Sequence, residues 1–453
     1  MNKETEIKLK VPSEHLETLR NHPLLTKASK TGWQTSELFN QYFDTPNQDL
    51  ARAKVALRIR RDGARYIQTL KTRGVSVAGL SERNEWEWAL DEAKLDLSVL
   101  DDSCWPQALE TIDKSTLHEV FRTDFVRAKT ELASGRGKTR LVIEAALDQG
   151  AVVAGDLTAP ICELELELKQ GEPAALLDVA LALSAELSVW PSDISKAENG
   201  YRLAGLMPVK AELSLPSLNA DAPLDEQIPL IAGALLAQSL RAAELYQLSG
   251  HWKLLQDWLN QLIELRAFLA SLGQAAPRAS THSMREHLDQ LISTWRPVIS
   301  HAHTEEQRQH AISLFAQELT QTRWGILCLT CAKWLQQKSW MTERNARGNR
   351  QGAAVLGNWL MHLLTDEALA FSPKRYELQP EDLAEQMPRM EKLLVWLRLA
   401  RHLTELPEVD RLYGELRKLY DLAHLAITDE VLLERAAQAH TVWTLKAFKQ
   451  LTR

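Results

Sequence analysis

Short stretches of the first two hundred residues alternate apolar and polar positions with a period of two. They are TEIKLKV near Thr5, LFNQYF from Leu38, VALRIR from Val55, RYIQTLK from Arg65, ERNEWEWAL from Glu82, RLVIEAAL from Arg140 and ICELELELK from Ile161. Successive side chains of a strand point to opposite faces, so this period predicts half-buried strands. Helices are predicted at 13–20, where a serine precedes the apolar positions, and at 173–187, where Gly-Glu-Pro leads an Ala/Leu-rich run. Strands spaced by turns, with few helices, argue against a regular βαβ repeat and for an antiparallel barrel or sandwich.

The period then changes. Around 206–227, Pro208, Pro216 and Pro223 with Asp and Ser residues read as a linker, set at 206–222 between a domain of 1–205 and a domain of 223–453. Beyond it apolar residues recur every three or four positions over 228–248, 251–272, 307–337 and 390–406, which predicts an all-helical half. The expected class is α+β, and 453 residues is more than one core usually organises.

No run reaches the roughly 18 uncharged apolar residues of a membrane helix. The segment 174–187 is broken by Asp178 and Glu186, and the opening MNKETEIKLK carries charge where a signal peptide needs apolar residues. A cytoplasmic protein without a membrane partner is expected. Residues 1–203 hold 26 basic and 32 acidic side chains and the remainder 27 and 28, so neither half has the basic excess of a nucleic-acid binder. Four cysteines make no disulfide framework; Cys328 and Cys331 form one C-x-x-C in an apolar stretch without a second pair, and buried structural thiols are expected.

The charges themselves alternate. Glu4, Glu6 and Lys8 share one face of the first strand, Arg58 and Arg60 one face of another, and Glu163, Glu165 and Glu167 one face of a third, each with apolar residues opposite. Lys71 ends a strand, and Glu85 and Glu87 alternate with Trp86 and Trp88. If these strands close into a barrel whose apolar outer faces are covered, acidic and basic faces meet in one lumen. Crowded carboxylates there would repel unless a hard divalent cation lay between them, and arginines and lysines beside them would meet phosphate oxygens. That is the equipment of phosphoryl transfer.

The series Glu4-x-Glu6-x-Lys8, Tyr42-Phe43-Asp44-Thr45-Pro46, Leu57-Arg58-Ile59-Arg60, Thr69-Leu70-Lys71, Arg83-x-Glu85, Thr123-Asp124-Phe125-x-Arg127, Ala146-Leu147-Asp148-x-Gly150, Cys162 to Glu167 and Ser195-Lys196-x-x-x-Gly200-Tyr201 resembles the CYTH domain of the triphosphate tunnel metalloenzymes. The resemblance implies an eight-stranded antiparallel tunnel with flanking helices, working with Mg²⁺ or Mn²⁺. By matching positions it implies that Lys8, Arg58, Arg60, Lys71, Arg127 and Lys196 hold phosphates, with Glu4, Glu6, Lys8, Arg58, Arg60 and Lys71 as the catalytic set. It implies Glu4, Glu6, Glu163 and Glu165 on the metal side, with Glu85 and Asp148 completing the acidic set and Glu167, nearer its strand end, less closely tied to it. An aromatic pair before Asp-Thr-Pro suits a strand ending in a turn, so 42–46 is read as structural.

The helical half, through 412–422 and the preceding 389–402, resembles a CHAD domain, whose partners include polyphosphate. That family typically carries a His- and Arg-rich helix, whereas 251–266 offers only His251, Lys253 and Arg266 among acidic and apolar residues. The ten histidines there, and the tryptophans at 252, 258, 295, 324, 334, 340, 359, 396 and 443, are expected to pack or face solvent. Together these readings predict a bacterial enzyme hydrolysing inorganic triphosphate to diphosphate and phosphate, without nucleic acid. The alternatives are thiamine triphosphatase, nucleoside triphosphatase or adenylate cyclase of the same family, or a non-catalytic polyphosphate-binding module.

Overall fold

The computed structural model describes residues 2–29, 32–211, 216–273, 275–371, 380–401, 403–404, 406–426 and 441–452. The chain divides into two compact units, one of residues 1–211 with 247–249 and 315–333, the other of the rest. The predicted linker at 206–222 falls partly on 212–215, and the predicted helix at 389–402 ends on 402; these lie outside the described residues.

The first unit is built on strands β1 (Asn2–Lys10), β2 (Gln34–Asp44), β3 (Ala56–Asp62), β4 (Arg65–Lys71), β5 (Val75–Val77), β6 (Leu80–Leu90), β7 (His118–Ser134), β8 (Leu141–Ala154), β9 (Leu157–Gln170) and β10 (Trp190–Pro191). All pairings are antiparallel, in the order β1-β9-β8-β7-β2-β3-β4-β6, and β6 returns to β1, closing eight strands into a barrel. β5 and β10 are short additions on β6 and β1. Closure leaves no open edge on those eight strands. The hairpins β3–β4 and β8–β9 turn through Gly63 and Gly155, both at positive φ, which glycine adopts without a Cβ penalty.

Alternation now has a physical cause, because each strand faces a charged lumen and an apolar exterior. Ile7, Leu9, Leu164 and Leu166 are fully buried on the outside, where helix Ala174–Glu186 packs on β1 and β9 through Leu176, Leu177, Ala180 and Leu183. On another side Leu100, Cys104, Trp105 and Leu109, from the connection after β6, cover Leu57, Leu70, Trp86 and Trp88. Each such leucine contributes about 1.5–3 kcal/mol on burial.

β7 is absent from the strands predicted by periodicity. Its register is unbroken from Phe121 to Ser134, but Phe121 and Phe125 share the lumen face with Arg127 while Val126, Ala128 and Leu132 stand on the other, so the apolar residues change parity within one strand.

The second unit is helical, with Leu224–Ser249, Trp252–Ser271, Arg278–His301, Leu356–Phe371, Pro380–Ala400 and Val409–Ala426 among its elements. The continuous periodicity of 307–337 divides into Glu305–Leu319 and Thr322–Gln336, of which residues 315–333 belong to the first unit. Tryptophans pack the bundle as expected: Trp258 meets Trp295 edge-on at 5.6 Å, and Trp359 meets Trp396 at 4.8 Å. Leu224–Ser249 is long and apolar enough to cross a membrane by composition, and 67% of its most apolar window is buried within the protein. The four cysteines are free thiols; Cys104, Cys328 and Cys331 are buried and Cys162 half-buried.

Candidate active site

In an antiparallel pair, directly opposed residues point to the same side, so the register fixes what lines the lumen. Lys10, Glu163, Asp148, Arg127 and Ser36 are opposed in turn across β1, β9, β8, β7 and β2. Arg58 opposes both Tyr42 and Thr69, Arg60 opposes Asn40, and Lys71 opposes Glu85. Arg83 opposes Glu4. All thirteen residues expected at the site therefore face one interior, twelve from seven strands and Lys196 from the first position of helix Lys196–Leu203.

Two ion-pair groups form inside. In one, Lys71 Nζ lies 3.0 and 2.9 Å from the two Glu4 oxygens and 3.0 Å from Glu85. Arg83 Nε donates to Glu4 at 3.0 Å, and its Nη2 donates to Glu6. In the other, Arg127 binds Asp148 through two hydrogen bonds of 2.7 Å and reaches Glu165 at 2.5 Å, while Lys196 Nζ meets Asp148 at 2.7 Å, Glu165 at 2.8 Å and Glu163. Asp148, Glu163 and Glu165 each offer an oxygen within 4.8 Å of the others.

The electrostatics follow. Burial alone would raise Glu4 and Glu163, but Lys71 and Arg83 hold the first at about 2, and Lys196 with Lys10 and Lys8 hold the second at about 2. Glu6 is raised, by burial first and then by Glu165 and Glu4, against the pull of Arg83. Asp148, Glu163 and Glu165 outweigh burial at Lys196 and hold its ammonium well above the usual range.

Arg58 and Arg60 differ from Lys71, Arg83, Arg127 and Lys196. Neither makes an ion pair among the described residues: Arg60 Nε donates to Asn40 at 2.9 Å, Arg58 approaches only the Tyr42 hydroxyl at 3.5 Å, and Arg58 Nε is buried with no partner. Burial first, then Arg58 and Arg127, push Arg60 down to about 9. A buried guanidinium left without a counter-charge is costly unless an anion is expected there.

Two expected residues stand apart. Lys8 Nζ donates to the Ile194 carbonyl instead of joining a carboxylate, and Glu167 pairs with Lys169 at 2.5 Å. Arg83 was missing from the expected set although it shares the parity of Glu85 on β6, and that parity was the signal available for it. Tyr42-Phe43-Asp44-Thr45-Pro46 divides in role. Asp44 is fully buried and accepts from the amides of Thr45, Leu50 and Ala51 and from the Tyr201 hydroxyl at 2.8 Å. Tyr42 faces the lumen, stacked on Phe121 at 4.7 Å, and Phe121 meets Tyr201 edge-on at 5.0 Å. With Phe125, Val152 and Ile161 these rings form an apolar floor at one end of the lumen, into which helix Lys196–Leu203 is set.

Residues 2–201 match the CYTH domain family. A curated Haemophilus influenzae relative named inorganic triphosphatase is 37% identical over 166 residues, which are 37% of this chain and 46% of the relative. The chain thus spans about half the length of the relative it matches. A solved Hippeastrum structure, whose description names a dominant triphosphatase activity, is 24% identical; the match covers 45% of this chain and 97% of that one, with a TM-score of 0.33. A Pyrococcus horikoshii structure is 19% identical over 40% of this chain and 86% of its own, with a TM-score of 0.25.

Proposed function

We propose that the CYTH domain formed by residues 2–201 hydrolyses inorganic triphosphate to diphosphate and phosphate inside its barrel. The observation that carries this is the pair Arg58, buried, and Arg60, half-buried, which touch no carboxylate among the described residues and face a lumen that also holds the close trio Asp148, Glu163 and Glu165. A pure anion-binding site gains nothing from so many carboxylates, and a pure cation site gains nothing from arginines that touch none of them. A substrate carrying several phosphates together with a divalent cation satisfies both sets. The relative named inorganic triphosphatase supports the same substrate.

Arg58 and Arg60 take the phosphoryl oxygens in a water-poor interior where charge-assisted hydrogen bonds are strong. Lys71, Arg83, Arg127 and Lys196 exchange part of their carboxylate contacts for phosphate, and Lys8 approaches from the same wall. Glu163, Glu165 and Asp148, with Glu4 and Glu6, are all hard oxygen donors, which fits Mg²⁺ or Mn²⁺. When bound, such an ion supplies neutralisation and polarisation of phosphate oxygens. Glu85 holds Lys71 in place from the neighbouring strand at 3.0 Å. Water then attacks the terminal phosphoryl group, held in line by the arginine wall, and diphosphate departs.

The domain limits 1–205 and 223–453 and a CHAD-like role for the helical half belong to the same proposal, with polyphosphate as the candidate partner of that half. Phosphate release from triphosphate, ATP and thiamine triphosphate, each with Mg²⁺, Mn²⁺ or a chelator, tests the substrate. Metal-dependent turnover greatest on triphosphate is expected, and turnover confined to ATP or thiamine triphosphate overturns it.

A further inference from the structure

Arg127, Lys71 and Arg83 each form an ion pair with the carboxylate directly opposite on a neighbouring strand, namely Asp148, Glu85 and Glu4. Arg60 departs from this, because the residue opposite it on β2 is Asn40. The row through Arg60 runs Ile67, Arg60, Asn40, Thr123 and Val152 over β4, β3, β2, β7 and β8, and it contains no carboxylate. Asn40 and Thr123 are both fully buried. Along their strands they alternate with the apolar floor, Asn40 between Leu38 and Tyr42 and Thr123 between Phe121 and Phe125. Two polar side chains in such a layer carry a desolvation cost that an aliphatic pair would not, so what they hold outside the layer matters.

They hold Arg60. Its Nε donates to Asn40 Oδ1 at 2.9 Å, and Asn40 Nδ2 donates to the Thr123 hydroxyl at 3.0 Å. A guanidinium can only donate, so the Asn40 oxygen has to face it, and the amide nitrogen is left for Thr123. This relay fixes the guanidinium plane through Nε. The two terminal nitrogens, whose edge can take two phosphate oxygens, make no hydrogen bond or ion pair among the described residues. A carboxylate at position 40 would hold Nε as well and would also neutralise the charge; the amide holds it without neutralising it.

We propose that Asn40 is the positioning residue of Arg60, a neutral acceptor, itself held by Thr123, that fixes the guanidinium while leaving its positive charge for an incoming phosphate. This rests on the reading of the lumen as a triphosphate site. Asn40 has no exposed surface and acts on substrate only through Arg60. Burial, Arg58 and Arg127 already push Arg60 down to about 9, so a carboxylate introduced at position 40 would meet a guanidinium short of counter-charge.

The test joins thermal melting without ligand to a thermal-shift titration with Mg²⁺-triphosphate, which reads half-saturating concentrations without requiring turnover. Asn40→Asp keeps both contacts, because the Thr123 hydroxyl can donate as well as accept, and changes only the charge. Asn40→Ala removes the acceptor and adds no charge. Asn40→Asp is expected to melt above Asn40→Ala and yet to bind more weakly, needing about 10- to 100-fold more triphosphate than the parent, as one added unit charge close to a phosphate does in a partly wet interior. Asn40→Ala should need about 3- to 10-fold more, and less than about twofold more when placed in an Arg60→Met background, where the residue it positions is gone. A merely structural asparagine would weaken binding in the order of lost melting temperature and additively with Arg60→Met. Either result overturns the proposal, as does an Asn40→Asp protein that binds within twofold of the parent. The Arg60→Met comparison decides alone if Asn40→Asp does not fold. A parent that binds triphosphate but never releases phosphate would sink the hydrolase reading and leave these comparisons standing, whereas a parent whose melting triphosphate does not move would sink the lumen reading and this inference with it.

Discussion

Replacing Arg58 by methionine should separate activity from stability. Arg58 is only 8% exposed, its Nε has no partner, and its nearest polar contact is Tyr42 at 3.5 Å. Methionine keeps the unbranched apolar stem of the side chain while deleting the guanidinium. Loss of one or two hydrogen bonds to charged phosphate oxygens, at about 1.5–3 kcal/mol each, predicts a fall in kcat/KM of about 10- to 10⁴-fold. In the unliganded protein the same change removes a buried charge that helps push Arg60 down to about 9. Burial accounts for the larger share of that shift, so relief worth about 1 kcal/mol is expected, at about 1.4 kcal/mol per pKa unit. Phosphate release and unliganded thermal melting, measured on one preparation, check both halves. The parent should melt higher with triphosphate present and the variant should gain little. If the variant instead loses about 2–5 kcal/mol, as a core truncation does, or keeps parental kcat/KM, Arg58 is a structural residue and the phosphate-wall argument fails.

Asp44→Ala leaves the amides of Leu50 and Ala51 and the Tyr201 hydroxyl without their acceptor; a loss of about 2–4 kcal/mol in denaturant unfolding is expected, and an unchanged midpoint would contradict it. Gly200→Ala, which in an open helix would stabilise by about 1 kcal/mol, should lower the melting temperature because its Cβ meets Phe121 at 2.1 Å. Glu4 and Glu163 are depressed to about 2 in the fold from an ordinary value near 4.5, so the stability they contribute is complete above about pH 4.5 and is lost as pH falls toward 2. Unfolding free energy should decline over that window, and Glu4→Gln should flatten the decline; a parental slope in the variant argues against the Lys71 and Arg83 pairing.

Much of the site was legible because a charged lumen and an apolar exterior impose one parity on each strand. Glu4, Glu6, Arg58, Arg60, Glu163 and Glu165 stand at alternate positions with leucine or isoleucine between most of them, and that pattern survives any register. What it leaves open is which strand faces which, so the pairing of Lys71 with Glu4 across the β4-β6-β1 wall could not be read from spacing. β7 was hidden because Phe121 and Phe125 stand on its lumen face and Val126, Ala128 and Leu132 on the other, so its apolar positions do not keep one parity. Arg83 stands in the quoted Arg83-x-Glu85 and continues the charge series of Glu85 and Glu87, but its place opposite Glu4 depends on the β1–β6 pairing that closes the barrel. Asp44 reads as a turn residue in sequence, and its role as a fully buried cap for Leu50 and Ala51 depends on the short helix that follows the turn.

A time course of inorganic triphosphate incubated with the full chain, following orthophosphate and diphosphate together, tests the hydrolase reading most directly. Equal release of the two products with Mg²⁺ or Mn²⁺, abolished by a chelator, is the predicted result. Triphosphate that stays intact with either metal would contradict it.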